Sequence, residues 1–282
     1  MVSSKPDLRR VVAAALAEDL GESNVDVTTS SIVDPELMGE AKVVARKPGV
    51  LSGSDAAARV FEMLLPPSRY ERVVADGTRL AAGDEVARVT GSLSSILVGE
   101  RTALNFLQRL SGIATMTRRY ADALAPYANV TLLDTRKTTP GLRSLERAAV
   151  RAGGGHNHRD GLWDAILIKD NHIAAAGGVR EAIKRARKAG MPVEVEVDTL
   201  EQLAEALEIG AEIVLLDNMT AELMRQAVEI TAGRAKLEAS GGMTLEGAVA
   251  AAKAGVGRIS VGALTHSAPA LDLSLEVIRT WR

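Results

Sequence analysis

The sequence predicts an α/β protein, a parallel α/β barrel preceded by a small α+β domain. Three observations carry this. From residue 130 onward, short apolar runs alternate with helical stretches. Nearly every run ends in a polar, reactive or small residue. Before them, short strand-like pieces broken by turn residues follow an opening helix.

The opening helix is read from Leu8, Val11, Val12, Ala15, Leu16 and Leu20, which share one helical face. Strand-like pieces follow at Glu40–Ala45, Lys47–Gly53 and Tyr70–Ala75, and the stretch Asp76–Val89 reads as turn, strand, turn, strand. That last stretch is similar to half of a lipoyl-type hammerhead, without the Met-Lys-Met turn of a carrier lysine. Glu100–Ala125 reads as one long helix, with Leu104, Leu107, Leu110, Ile113 and Ala114 on its apolar side and Ser94 or Ser95 as its cap. Apolar strands are then expected at Val130–Leu133, Ala165–Ile168, Val193–Val197, Ile213–Leu216, Lys236–Ala239 and Ile259–Val261. Helices between them are expected at Ser144–Arg151, Val179–Ala189, Leu200–Glu208, Ala221–Thr231 and Leu245–Ala254. The expected domains are 1–110, joined by the C-terminal segment 267–282, and a barrel at 111–266. Polar strand ends favour a barrel, which gathers its site at the C-terminal ends of its strands, over a doubly wound sheet, whose site lies at one crevice.

Composition excludes several classes of function. The net charge of −2 argues against general attraction to nucleic acid or membrane. Two Trp, three Tyr and two Phe are few for base-stacking platforms. No stretch approaches the roughly 20 apolar residues of a membrane span, and Met1–Arg10 lacks the apolar core of a signal peptide, so a cytoplasmic location is expected. With no cysteine, neither a disulfide framework nor a thiolate site is available.

The strand Val193-Glu-Val-Glu-Val-Asp198 carries the most information. Alternation puts Glu194, Glu196 and Asp198 on one face, where parallel strands normally bury apolar side chains. Such acids need cations, a metal or a substrate beside them. Arg136, Lys137, His158, Arg159 and Lys169 fall at neighbouring strand ends and suit a ligand with several negative charges. A structural ion-pair network and solvated surface charges are the plainer alternatives. Two glycine-bearing turns, Ser240-Gly241-Gly242 and Val261-Gly262-Ala263, can bring backbone N–H groups to a phosphate, or can simply be tight turns. No Walker A sequence is present, and the spacing Gly255, Gly257, Gly262 does not fit a dinucleotide fingerprint. His156 and His158 suggest a metal hydrolase, but only His172 and His266 remain as further imidazoles.

Together these segments resemble the quinolinate phosphoribosyltransferase family. The matching motifs are GERTALN at 99–105, DTRKTTPGLR at 134–143, GGGHNHR at 153–159, LIKDNH at 167–172, EVEVD at 194–198, LLDN at 215–218, EASGG at 238–242 and SVGALTHS at 260–267. The resemblance covers essentially the entire chain. It implies phosphoribosyl transfer from phosphoribosyl pyrophosphate (PRPP) to quinolinate with decarboxylation, and an open-sided barrel of fewer than eight strands. It also implies Mg²⁺ and a homodimer in which Arg101 reaches the partner's site. Within that frame Arg101, Arg136, His158, Arg159 and Lys169 serve the two carboxylates of quinolinate, with Thr135 beside them. Lys137 belongs to a phosphate-rich region, and Ser240, Gly241, Gly242, Val261, Gly262 and Ala263 form the cup for the 5-phosphate of PRPP. Glu196 and Asp217 hold ribose hydroxyls or Mg²⁺, with Asp198 in support; Lys137, Lys169, Glu196 and Asp217 are the catalytic candidates. The rival readings are a paralogous phosphoribosyltransferase with another acceptor, a Schiff-base aldolase using Lys169, and a non-catalytic PRPP-binding protein.

Overall fold

The computed structural model describes residues 8–282. The reading of Met1–Asp7, as the start of the first domain and as part of a leaderless terminus, lies outside the described residues. The chain divides into two compact units, one comprising 8–118, 138–154 and 268–282, the other 119–137 and 155–267. Residues 138–154, which the sequence reading gives to the barrel, group with the first unit.

The first unit opens with α1 (Leu8–Leu20), which buries Val12 and Leu16, one turn apart. Helix α2 (Val27–Ile32) was not anticipated; the Asp26 carboxylate caps it by accepting the Thr28 and Thr29 amides at 2.9 and 3.1 Å. Strands β1 (Met38–Ala45) and β2 (Gly49–Val50) follow, then α3 (Ser54–Met63), also unanticipated, which buries Ala56, Ala57, Val60 and Phe61. Next come β3 (Arg69–Arg72), β4 (Arg79–Leu80) and β5 (Glu85–Ser92). Helix α4 (Leu93–Leu124) starts seven residues before Glu100, because buried Leu93 and Ile96 extend its apolar face. Neither Ser94 nor Ser95 caps it; both lie inside the helix, and Ser95 Oγ donates to the Pro66 carbonyl at 2.8 Å.

Strand β6 (Thr131–Leu133) begins the parallel series, followed by α5 (Arg143–Ala152), which groups with the first unit. The series continues with β7 (Ile166–Ile168), α6 (Asp170–Ala176), α7 (Val179–Arg187), β8 (Val193–Val197), α8 (Leu200–Glu208) and β9 (Ile213–Asp217). It ends with α9 (Ala221–Thr231), β10 (Lys236–Ser240), α10 (Leu245–Lys253), β11 (Arg258–Ser260) and the short α11 (Ala263–His266). These strands form one six-stranded parallel sheet in the order β6-β11-β10-β9-β8-β7. That is the cyclic order of a barrel interrupted between β6 and β7, so the barrel is open, with fewer than eight strands. Thr199, Thr220 and Thr244 cap α8, α9 and α10 through their hydroxyls, which sharpens each turn from strand to helix.

Strand β12 (Leu273–Trp281) returns to the first unit and pairs antiparallel with β1, giving a sheet ordered β12-β1-β5-β3. The core there is a cluster that includes Val12, Val43, Leu51, Phe61, Val89, Leu107 and Leu273. No helix among the described residues is long and apolar enough to cross a membrane.

Candidate active site

A pocket of about 920 Å³ opens at the C-terminal ends of the parallel strands. Its lining includes Thr135, Arg136, Lys137, His158, Arg159, Lys169, Glu196, Asp217, Ser240, Gly241, Gly242, Gly262 and Ala263, so most of the nominated residues meet in one place. Three nominated residues are not in the lining. Arg101 is exposed on α4 in the first unit. Asp198 lies one residue past the end of β8, exposed, with its amide donating to Gln202 Oε1 at 2.7 Å. Val261 is fully buried and its N–H goes to the Leu133 carbonyl at 3.0 Å, leaving that amide no part in a phosphate cup.

Strand β8 is covered on both of its alternating faces. Glu194, Val195, Glu196 and Val197 are all buried, so its two glutamates need partners. Glu196 Oε2 takes the Lys169 ammonium at 2.5 Å from the end of neighbouring β7. Glu194 Oε2 lies 3.1 Å from His158 Nε2, and Glu238 Oε1 of β10 lies 3.3 Å from the same nitrogen. Behind them Arg258 Nε donates to Glu238 Oε2 at 2.9 Å. Burial opposes charge on His158 most strongly, yet the hydrogen bonds and charges of Glu194 and Glu238 outweigh it and lift the imidazole pKa to about 9. Burial likewise pushes the Glu238 carboxyl up, and His158 and Arg258 more than reverse it, so the group stays ionised below the usual carboxylate range.

The segment that carries His158 is pinned by buried Asp134. Its Oδ1 accepts the His158 amide at 2.7 Å and its Oδ2 accepts Asn157 Nδ2 at 2.6 Å. Next in sequence, Arg159 Nη1 donates to the Ala165 carbonyl at 3.0 Å. Desolvation and the nearby charge of Arg136 depress the Arg159 guanidinium, and Arg136 Nε is buried without a hydrogen-bond partner. Two crowded guanidiniums, one with an unpartnered Nε, favour an anion beside them.

Among the lining glycines, Gly241 has φ +90°, and a Cβ there would drive into the Asn218 side chain, so only glycine fits. Gly262 has an ordinary backbone, but a Cβ would sit 2.9 Å from Lys137 Cδ. Thr265 Oγ1 donates to the Lys137 carbonyl at 2.6 Å, which ties α11 to the strand-end segment bearing Lys137.

Glu238, Asn218, Tyr120, Met243, Thr244, Ser260 and His266 also line the pocket and were not nominated. Glu238 and His266 stand inside the EASGG and SVGALTHS motifs, which was the available signal. His172 of the IKDNH motif is not in the lining; its Nδ1 accepts the Lys169 amide at 3.0 Å and closes the turn into α6. Among the described residues, the one group of three ligand-bearing side chains with atoms within 4.8 Å of each other is His158, Glu194 and Glu238. With Arg258 already on Glu238, it reads as an ion-pair cluster.

Two family models cover the chain: "Quinolinate phosphoribosyl transferase, N-terminal domain" matches residues 26–111 and its "C-terminal domain" counterpart matches 113–276. A Bacillus subtilis protein named "Probable nicotinate-nucleotide pyrophosphorylase [carboxylating]" is 44% identical over 273 residues, 96% of this chain and 93% of its own. A Nicotiana tabacum protein named "Quinolinate phosphoribosyltransferase [decarboxylating] 1b" is 40% identical over 292 residues, 96% of this chain and 82% of its own. Among solved structures, the nicotinate-nucleotide pyrophosphorylase from Francisella tularensis superposes with a TM-score of 0.90 at 42% identity, covering 96% of this chain and 95% of that one. NadC from Streptococcus pyogenes gives 0.90 at 41% identity, covering 96% and 97%.

Proposed function

We infer residue roles from one premise: this chain belongs to the quinolinate phosphoribosyltransferase family. It is a pentosyltransferase that joins the phosphoribosyl group of PRPP to quinolinate and releases pyrophosphate and CO2, forming nicotinate mononucleotide for NAD biosynthesis. The observation that carries the subsite assignment is the cationic wall of the pocket, with Arg136 Nε lacking a partner beside Arg159.

In the proposed arrangement Arg136, Arg159, His158 and Lys169 bind the two quinolinate carboxylates, with Thr135 at the same rim. Backbone N–H groups at Ser240–Gly242 and Gly262–Ala263 receive the 5-phosphate, and Lys137 faces the phosphate-rich side. Glu196 and Asp217 stand at the ends of adjacent strands. Their carboxylates are positioned to hold ribose hydroxyls and to favour positive character at the ribose C1 as pyrophosphate departs.

Attack by the pyridine nitrogen forms the N–C1 bond and makes the ring cationic. The C–C bond to the adjacent carboxylate then breaks, its electron pair is drawn toward the pyridinium nitrogen, and a proton replaces CO2 on the ring. The chain's residues orient and neutralise; no covalent enzyme intermediate is needed. The Lys169 amine, held at 2.5 Å by Glu196, is engaged in an ion pair rather than standing free for an imine.

Mg²⁺ is part of the same proposal. Glu196 and Asp217 offer the hard oxygen donors it prefers, and Asn218 Nδ2 orients Asp217 Oδ2 at 2.7 Å. When bound, Mg²⁺ neutralises charge on the pyrophosphate.

We further propose a cytoplasmic homodimer in which exposed Arg101 enters the partner's pocket. Mixing inactive Arg101→Ala with inactive Lys169→Ala and allowing subunit exchange tests this, because a shared site regenerates one intact pocket per mixed dimer. A mixture that exchanges but stays inactive overturns it. For the subsites, the decisive assay supplies quinolinate, PRPP and Mg²⁺ and measures nicotinate mononucleotide. EDTA should abolish turnover. Nicotinate, lacking the second carboxylate, should be a far poorer acceptor, and equal use of the two acids rejects the cationic-wall assignment.

A further inference from the structure

We propose that Glu194 and Glu238, backed by Arg258, are positioning residues that hold His158 as an imidazolium, so that its second ring nitrogen donates to a substrate carboxylate. The inference rests on the reading above that His158 meets quinolinate, and it explains how a pocket histidine is kept cationic.

Glu194 and Glu238 are 6% and 0% exposed, on strands β8 and β10, and both face His158 Nε2. One guanidinium, Arg258 on β11, reaches Glu238. With a neutral ring the cluster keeps one buried negative charge in excess; with an imidazolium it is balanced. A single N–H cannot point squarely at two carboxylates, and Glu238 Oε1 accordingly makes a charge contact at 3.3 Å without a well-aligned hydrogen bond. What the second glutamate adds is therefore chiefly charge.

The other groups around the ring set the balance. Asp134, just past β6, accepts the His158 amide and adds negative charge from a third side. Arg159, next in sequence, is crowded by Arg136 and attracted by Asp164 and Glu194. The two flanking glutamates prevail over burial, in agreement with the raised basicity of the ring.

Charging the ring changes what its far side does. Nδ1 lies 2.8 Å from the Arg159 amide, an arrangement in which a neutral ring accepts that N–H. In the imidazolium Nδ1 bears its own proton, so two adjacent donors face each other and an anion relieves the conflict. A carboxylate supplies it. The buried glutamates thus convert a local backbone hydrogen bond into a two-donor receptor for substrate.

The chain has four histidines, so the full-length enzyme labelled with ¹⁵N-histidine gives four rings to follow. One ring, absent in His158→Asn, should keep both nitrogens protonated at pH 8. Glu238→Gln should lower its titration by about one pH unit or more and raise the quinolinate KM about tenfold, leaving the PRPP KM within about twofold. Glu238→Asp should restore part of both effects. If the native ring titrates near the ordinary histidine range, the proposal is overturned, and this measurement needs no variant that might misfold. If the ring titrates high but His158→Asn leaves the quinolinate KM unchanged, the assignment of His158 to the substrate is overturned instead.

Discussion

Glu146 and Glu238 are both fully buried carboxylates, one in each unit of the molecule, and they are surrounded in different ways. Glu146, on α5, has both oxygens met by fixed donors: Arg109 Nη2 at 2.9 Å and Thr139 Oγ1 at 2.8 Å on Oε1, and the Thr139 amide at 3.1 Å on Oε2. Glu238 has one oxygen on Arg258 and turns the other toward a histidine that lines the pocket. The first carboxylate closes a local network; the second passes its charge to a group that can meet a ligand. A buried acid is informative about function when its partner is itself open to a pocket.

The comparison can be broken most forcefully at Glu146. Glu146→Ala removes the acceptor of Arg109 Nη2 and of the Thr139 amide, while Arg109 keeps the Ala268 carbonyl, and unfolding in denaturant should show a loss of about 2–4 kcal/mol. A negligible loss would mean that the network contributes little, and the contrast with Glu238 would collapse. Arg159→Ala should weaken quinolinate binding by on the order of 2–5 kcal/mol with a much smaller effect on PRPP, and Lys169→Ala, half exposed, should fall at the lower end. Calorimetric titrations giving the reverse selectivity would exchange the two subsites.

A smaller effect distinguishes the two carboxylates by pH. The folded-state pKa of His158, about 9, stands above its ordinary value of 6.5. The stability it contributes is fully present below pH 6.5 and is lost as pH rises through about 9, a decline on the order of 1–3 kcal/mol. The Glu146 network contains no histidine and should contribute no slope. Denaturation curves from pH 6 to 9.5 should fall in the native protein and flatten in Glu238→Gln. The smallest effect belongs to the exposed pairs of Arg225 with Glu222 and Glu229 on α9, where Arg225→Ala should leave the unfolding midpoint unchanged within error.

The parallel series was legible because each strand is a short apolar run followed by an amphipathic helix, and boundaries at β6, β7, β9 and β10 moved by one residue. The last strand slipped by one as well, and Val261, just past its end, is buried with its amide on the Leu133 carbonyl and so takes no part in the phosphate cup. Helix α3 escaped notice because its alanines carry little hydrophobic contrast, and only its packing reveals which face is buried. In the site, Arg136, His158, Arg159, Lys169 and Glu196 could be named from charge at strand ends. Glu238 could not be named in that way, because a glutamate between Leu237 and Ala239 declares its partners only when β10 pairs with β11 and stands one strand away from β8.

The pairing of β12 with β1 has a consequence for how the protein is made. Met38 lies opposite Trp281 and Ala45 opposite Leu273, so the antiparallel sheet receives its outer strand from residues synthesised after every residue of the pocket. Until they emerge from the ribosome, one edge of β1 offers its backbone groups to any passing strand. The first unit therefore cannot be completed as the chain elongates, although its opening helix, β1, β5 and most of its core are translated early. Chains cut short before residue 273 should accumulate in inclusion bodies even with every pocket residue present, and a separately expressed 273–282 peptide should recover soluble material by filling the vacant edge.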